Sequence, residues 1–282
     1  MAMRSDNERH LFTRYMSSPT SSFTDLLTEH HPDVLPWSRS ATRSVIDGIT
    51  HGTTIVALRF TGGVLMAGDR QATSGTSVGY RYAEKVHPAD DSSCIGIAGT
   101  SALAAEMARL FQVELLHYEK VEGAQLSLQG RANKLSALVR GNLEMAMSGL
   151  GVVPLYAGYD SDAGVGRIFS YDPAGAMSEE HSGYYSIGSG SLFALGSLKK
   201  LHSEDLTEAD AITVALEALY DAAEEDTATM GPDLARKIFP TVHLVTGEGD
   251  RSLTDDEVEA VARSIIERRR ERPDGPRATI PR

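Results

Sequence analysis

Gly52-Thr53-Thr54 is where the residue types of this chain first suggest chemistry. A threonine hydroxyl is a weak nucleophile unless a base lies within hydrogen-bond reach, and the α-amine of the same threonine can be that base. The amine must then be free. Its unperturbed pKa of about 7.7–8.0 leaves a neutral fraction near pH 7 that can accept a proton. A cut between Gly52 and Thr53 would create the pair, and a glycine before the threonine permits the close, strained carbonyl approach that self-cleavage needs. The same residues also read as a turn entering an ordinary strand, and the tripeptide alone favours that plainer reading. A second segment, Gly188-Ser189-Gly190-Ser191, precedes a helical pattern and could gather backbone N–H groups as a phosphate nest does. It lacks both the Gly-Lys-Ser/Thr ending and the full G-x-G-x-x-G spacing, which argues against phosphate. The histidines are scattered, with His10, His30, His31 and His51 all ahead of Thr53, and no His, Glu and Asp group has zinc spacing. No metal or other cofactor is expected.

These residues need elements to position them. From Thr53 two apolar, β-branched runs, TTIVALRF and VLMAGD, flank Gly62-Gly63 and predict a buried hairpin. A third run, Ser93 to Gly99, is followed by Thr100 or Ser101 as a helix N-cap, with Leu103, Met107, Leu110 and Phe111 at helical spacing. A second helix is expected from about Ser127, antiparallel to the first across a short loop at Gly123. Strands return at Pro154 to Asp160 and Gly166 to Tyr171. The GSGS segment then opens one helix and Thr207 another, a strand spans Thr241 to Thr246, and the capping box Thr254 to Glu257 starts the last helix. Strands, two helices, strands, two helices and a strand predict an α+β fold: two face-to-face sheets with a helix pair on each outer side. Residues 1–52, rich in Pro, Ser and Thr, read as a weakly structured leader with one short helix near Phe23 to Leu27. Residues 268–282 read as a charged, disordered tail.

The totals exclude several classes. With 27 Lys and Arg against 39 Asp and Glu, the formal charge of -12 repels phosphate backbones and anionic lipid heads, so neither nucleic acid nor membrane is an expected partner. Cys94 is the single cysteine, which rules out an intrachain disulfide and fits a reducing cytoplasm. Charges throughout the first 30 residues leave no unbroken apolar stretch for a secretory signal.

GTTIVAL, GGVLMAGDR, EKV, GIAGT, GSGSLFA and the acidic stretch at Asp226 with its GPD occur in one order. Each is weak alone. Together they resemble proteasome β subunits, and the chain is most similar to the actinobacterial type, over essentially all of Thr53 to about Glu267. The resemblance implies the four-layer αββα sandwich of N-terminal-nucleophile hydrolases and the activity of a threonine endopeptidase. It makes residues 1–52 a propeptide removed by autocatalytic cleavage between Gly52 and Thr53, and residues 53–267 the catalytic domain. Thr53 becomes the nucleophile, with Asp69 and Lys85 at the family's spacing of 16 and 32 residues downstream. A lysine ammonium beside the hydroxyl would favour developing negative charge, and an aspartate would hold that lysine. A structural ion pair, or two solvated charges, is the rival reading of those two.

Gly99 matches the glycine whose N–H enters the oxyanion hole, and Ser189 and Asp226 match groups that hydrogen-bond the α-amine. Thr229 stands where the family usually has serine, with the hydroxyl kept. The primary specificity pocket maps to Ala72, Thr73, Ala83, Ile97, Ser101 and Ala105, with Lys85 nearer its floor. Without an acidic residue there, cleavage after apolar side chains is expected. The implied partners are a heptameric ring of further copies, outer rings of α subunits, an ATPase unfoldase ring, and polypeptides tagged by a small ubiquitin-like modifier. The two-ring bacterial threonine protease shares the TTIV start but is expected to be shorter with a briefer leader. Non-catalytic ring subunits normally lack the Thr, Asp and Lys combination kept here.

Overall fold

The computed structural model describes residues 20–35 and 50–277. Within residues 20–35 lies α1 (Phe23–His30), capped by the Ser22 hydroxyl, which accepts the Asp25 N–H. Next come β1 (Thr50–His51), β2 (Thr54–Phe60), β3 (Gly63–Gly68), β4 (Ala72–Ser74), β5 (Ser77–Tyr80), β6 (Val86–Asp90) and β7 (Ser93–Gly99). Helices α2 (Ser101–Glu122), α3 (Leu128–Gly141) and α4 (Leu143–Met147) follow. Strands β8 (Val152–Asp160), β9 (Val165–Tyr171), β10 (Met177–Glu179) and β11 (Tyr184–Gly188) lead to α5 (Ser191–Leu201) and α6 (Glu208–Glu225). The order closes with β12 (Thr241–Thr246), β13 (Gly249–Ser252) and α7 (Asp255–Glu271).

Two five-stranded antiparallel sheets form, in the orders β10-β9-β8-β7-β6 and β11-β2-β3-β12-β13. Their alternation fixes the layers, because successive side chains of a strand point to opposite faces. Ile55 and Ala57 of β2 pack with Cys94, Ala98, Leu155 and Ala157 in a core between the sheets. Val56, Leu58 and Phe60 of the same strand pack with Leu198, Ala215, Leu219 and Val258 beneath α5, α6 and α7. On the other side, Ile95, Ile97, Tyr156 and Phe169 pack with Phe111, Leu135 and Leu138 beneath α2 and α3. Three apolar layers thus separate helices, sheet, sheet and helices, the expected αββα sandwich. A Cβ on Gly96 would stand 2.8 Å from Ile55 Cγ2 and 2.9 Å from Met66 Sδ, so the sheets meet there at glycine distance.

Strands β4, β5, β6, β10, β11 and β13 were not legible in the sequence. They are short: β5 is exposed along its whole length, and the others hold at most two buried residues each, too few to imprint a period-two pattern. Helix α7 runs to Glu271, so residues 268–271 are helical rather than part of a disordered tail. Arg269 explains the extension: it is buried, bonded to Glu217 and Asp221, and stacked on Tyr220. Residues 278–282 of that expected tail lie outside the described residues.

Within residues 20–35, α1 and its C-terminal 3-10 turn pack against α2 and α3. Leu26 and Leu35 are buried, Leu35 within the core beneath α2. The Thr24 N–H and hydroxyl both donate to the buried Glu114 carboxylate, which Lys134 also meets. Residues 1–19 and 36–49 lie outside the described residues. No described helix is long and apolar enough to cross a membrane.

Candidate active site

Thr53 precedes β2, in the central part of its sheet, and is buried. Three chain segments converge on it. The first brings Asp69 and Gln71, just past the end of β3. The Asp69 carboxylate, 1% exposed, accepts the Thr54 N–H at 2.8 Å, the Gln71 N–H at 2.9 Å and the Met230 N–H at 3.2 Å. The second brings Lys85, just ahead of β6, whose Nζ donates to Asp69 Oδ1 at 2.7 Å and to the Gly52 carbonyl oxygen at 2.8 Å. Burial pushes the Lys85 ammonium below its ordinary pKa, and the Asp69 carboxylate opposes that shift. Burial pushes the Asp69 carboxyl up, while Lys85 and the backbone N–H groups pull against it. The spacing of 16 residues between them therefore resolves into a direct, buried ion pair.

The third segment joins the β11–α5 loop to the end of α6. The Ser189 N–H donates to the Thr53 carbonyl at 2.9 Å, and its hydroxyl donates to Asp226 Oδ2 at 2.6 Å. Thr229 Oγ1 reaches the same carboxylate oxygen at 2.6 Å and meets Thr54 Oγ1 at 2.6 Å. Gly188 must be glycine: its φ is +99°, and a Cβ there would overlap the Thr53 carbonyl oxygen.

Thr53 Oγ1 donates to the Gly52 carbonyl oxygen at 2.6 Å. That oxygen therefore accepts both the hydroxyl and the Lys85 ammonium, and the carbonyl is polarised beside a potential nucleophile. Gly52 holds φ +111°, and a Cβ on it would come within 2.9 Å of Thr73 Oγ1 and Ala228. Upstream of it, Thr50 and His51 of β1 pair antiparallel with Ser74 and Thr73 of β4. The chain thus enters the site as an added edge strand.

Two cavities open on Thr53. One of about 440 Å³ includes Gly99, Gly151, Val153, Tyr185 and Ser189 in its lining. The other, about 30 Å³, brings together Ala83, Lys85, Ile97, Gly99, Ser101 and Ala105, six of the residues expected from the sequence. Ala72 and Thr73 do not line it. Ala72 is buried in β4 and Thr73 pairs with His51. Glu84, His87 and Ala104 do line it and were missed. A period-two step from Lys85 along extended chain would have found His87. Thr54 and Gln71 were missed as well, although an aspartate two residues before a backbone N–H it accepts is a common turn arrangement. The cavity is therefore not purely apolar, as Glu84 and His87 add polar groups to its wall.

A threonine hydroxyl, a polarised carbonyl, a buried ion pair and a hydroxyl–carboxylate relay are together equipped for acyl transfer. Comparison with known proteins points the same way. The family described as "Proteasome subunit" matches residues 49–232. The chain is 56% identical over 268 residues to the "Proteasome subunit beta" of Streptomyces griseus, covering 94% of this chain and 95% of that one. It is 58% identical over 252 residues to the protein of the same name from Frankia alni, covering 89% and 92%. The "Proteasome subunit beta 2" of Thermomonospora curvata is 54% identical over 262 residues, 93% of each chain.

Proposed function

This chain belongs to the proteasome subunit family and is a catalytic β subunit, a threonine-type endopeptidase; on that premise we propose that Thr53 is its nucleophile, unmasked by self-cleavage after Gly52. In the precursor, Thr53 Oγ attacks the Gly52 carbonyl carbon. The Lys85 ammonium and the Gly99 N–H take up the negative charge on oxygen. The Gly52–Thr53 C–N bond then breaks, the hydroxyl proton ends on the Thr53 nitrogen, and water hydrolyses the resulting ester. The observation that carries this reading is the Gly52 carbonyl oxygen, which accepts both the Thr53 hydroxyl and the Lys85 ammonium.

In the mature enzyme the same hydroxyl attacks a substrate carbonyl. The freed Thr53 amine takes its proton and passes it to the leaving nitrogen, with Ser189, Asp226 and Thr229 orienting that amine. Lys85, held by Asp69, keeps positive charge against the hydroxyl oxygen. A peptide would add to the β4 edge that β1 occupies in the precursor, and the cavity of Ala83, Ile97, Ser101 and Ala105 would take the side chain before the cut.

Residues 1–52 are then the propeptide. The subunit would work in the cytoplasm, within a heptameric ring flanked by α-subunit rings, with an ATPase unfoldase supplying polypeptides tagged by a small ubiquitin-like modifier. Enclosure keeps such a peptidase from degrading the cell around it.

Intact mass of the chain co-expressed with its α subunit tests the reading. The expected product begins at Thr53, and Thr53→Ala stays at full length without peptidase activity. A peptide-degrading particle whose β chains still begin at Met1 would overturn it.

A further inference from the structure

Two cavities larger than those at Thr53 lie at the opposite end of the sandwich. They are about 660 and 560 Å³, and they share Gln125, Leu126 and Arg131, so they form one groove beneath the α2–α3 loop. Strand β7 starts at this groove with Ser93 and ends at the catalytic site with Gly99. Leu115, Leu116 and Leu126 give the groove an apolar wall. Its lining is acidic, with Asp91 and Glu248 on turns, Glu119 on α2 and Asp250 on β13. Two cations line it: Arg131 is committed to Asp90, and Arg167 to Asp160 and Glu179, while Asp250 is bonded to His243. Asp91, Glu119 and Glu248 therefore line the space with no cation against them among the described residues.

A ligand that fits is a short peptide alternating bulky apolar side chains with arginines. The chain carries one: Arg9 to Met16 reads RHLFTRYM, with Leu11 and Phe12 between Arg9 and Arg14, and Tyr15 and Met16 directly after Arg14. Its position in the fold also suits the groove. The described leader begins at Thr20, and Thr24 is bonded to Glu114 on the flank of α2 away from the groove. Crossing a helix of about 10–12 Å diameter takes roughly four extended residues at about 3.3 Å each. Residues 17–20 supply that length, over an α2 face where Val113 is 40% and Leu116 54% exposed.

We propose that residues 9–16 of the leader dock in this groove of their own subunit. The leader would then grip α2 from both flanks, with one anchor at Glu114 and the other beneath the α2–α3 loop. This docking does not depend on catalysis and is tested on the uncut Thr53→Ala chain, so its failure leaves the peptidase reading intact.

The test pairs Phe12→Cys with Leu116→Cys and, as control, with Leu192→Cys, which is 77% exposed near the catalytic end. Cys94 is fully buried and does not compete. Under mild oxidation, the intrachain disulfide at Leu116 should form at least about tenfold faster than the control, because docking raises effective concentration. Equal rates overturn the proposal, as does failure to form the bond or a disulfide only between two chains. A second measurement needs no cysteine. Arg9→Glu with Arg14→Glu should raise deuterium uptake at residues 115–126 and 247–250 severalfold while β2 and β3 stay unchanged. Unchanged uptake at the groove also overturns it.

Discussion

Lys85 is bonded at once to the Asp69 carboxylate and to the carbonyl that Thr53 would attack, and each contact has its own consequence. Lys85→Ala should retain the leader, because the developing oxyanion loses its ammonium donor; a fall of about 10²–10³ in cleavage rate is expected. Intact mass over time measures it. Asp69→Asn leaves the ammonium buried without a counter-charge, which costs about 3–5 kcal/mol and should lower the thermal midpoint as well as slow processing. The pH profile follows from the same pair. A raised Asp69 pKa means that this carboxyl takes a proton at a higher pH than an ordinary aspartate, so the acid limb of processing should start above pH 3.8. A lowered Lys85 pKa places the alkaline limb below 10.5. At position 229 the hydroxyl is the working part: Thr229→Ser should keep peptidase activity within a few-fold, and Thr229→Val, which removes the donor to Asp226, should not.

Elements carry their own tests. Gly96 lets β7 approach β2 and β3 closely, so Gly96→Ala should cost about 1–3 kcal/mol through overpacking, read as a lower urea midpoint. The docking of α1 rests on Glu114. Burial pushes its carboxyl up, but the two Thr24 hydrogen bonds and Lys134 outweigh burial and hold it below the ordinary value of 4.5. A depressed carboxylate stabilises docking above its unfolded pKa and loses that contribution as pH falls through the folded one. Deuterium uptake of residues 22–35, corrected for intrinsic rate, should therefore rise as pH drops below 4.5, and Glu114→Gln should raise it already at pH 7. Uptake that is the same in the variant at pH 7 would remove Glu114 as the anchor.

At the scale of the molecule, the proposed cleavage would divide the fluorescence. Trp37 is the single tryptophan and precedes Thr53, so the mature subunit should show no tryptophan emission while Thr53→Ala keeps it. Cleavage preference is another property of the assembled site. Peptides ending in Leu, Phe or Tyr should be hydrolysed faster than those ending in Arg, and Glu84→Gln should widen that difference if Glu84 attracts basic side chains. The long runs of the sandwich were readable because both faces of β2, β7 and β12 are buried and each helix repeats apolar residues at 3.6. The caps at Thr207 and Thr254 were readable because they are local.

The sequence by itself determined the order of the main strands and helices and the spacing of Thr53, Asp69 and Lys85. Those properties are encoded in residues close along the chain or in motifs of fixed separation. Only the tertiary structure decided that Lys85 bonds the Gly52 carbonyl, that Glu84 and His87 line the small cavity, and that Arg269 draws residues 268–271 into a helix. Each of those rests on contacts between segments tens of residues apart, or on an exposed, short strand whose place is set by its neighbour. Apart from His87, which a period-two step from Lys85 reaches, no local periodicity records them, because the partner, rather than the segment's own pattern, supplies the energy.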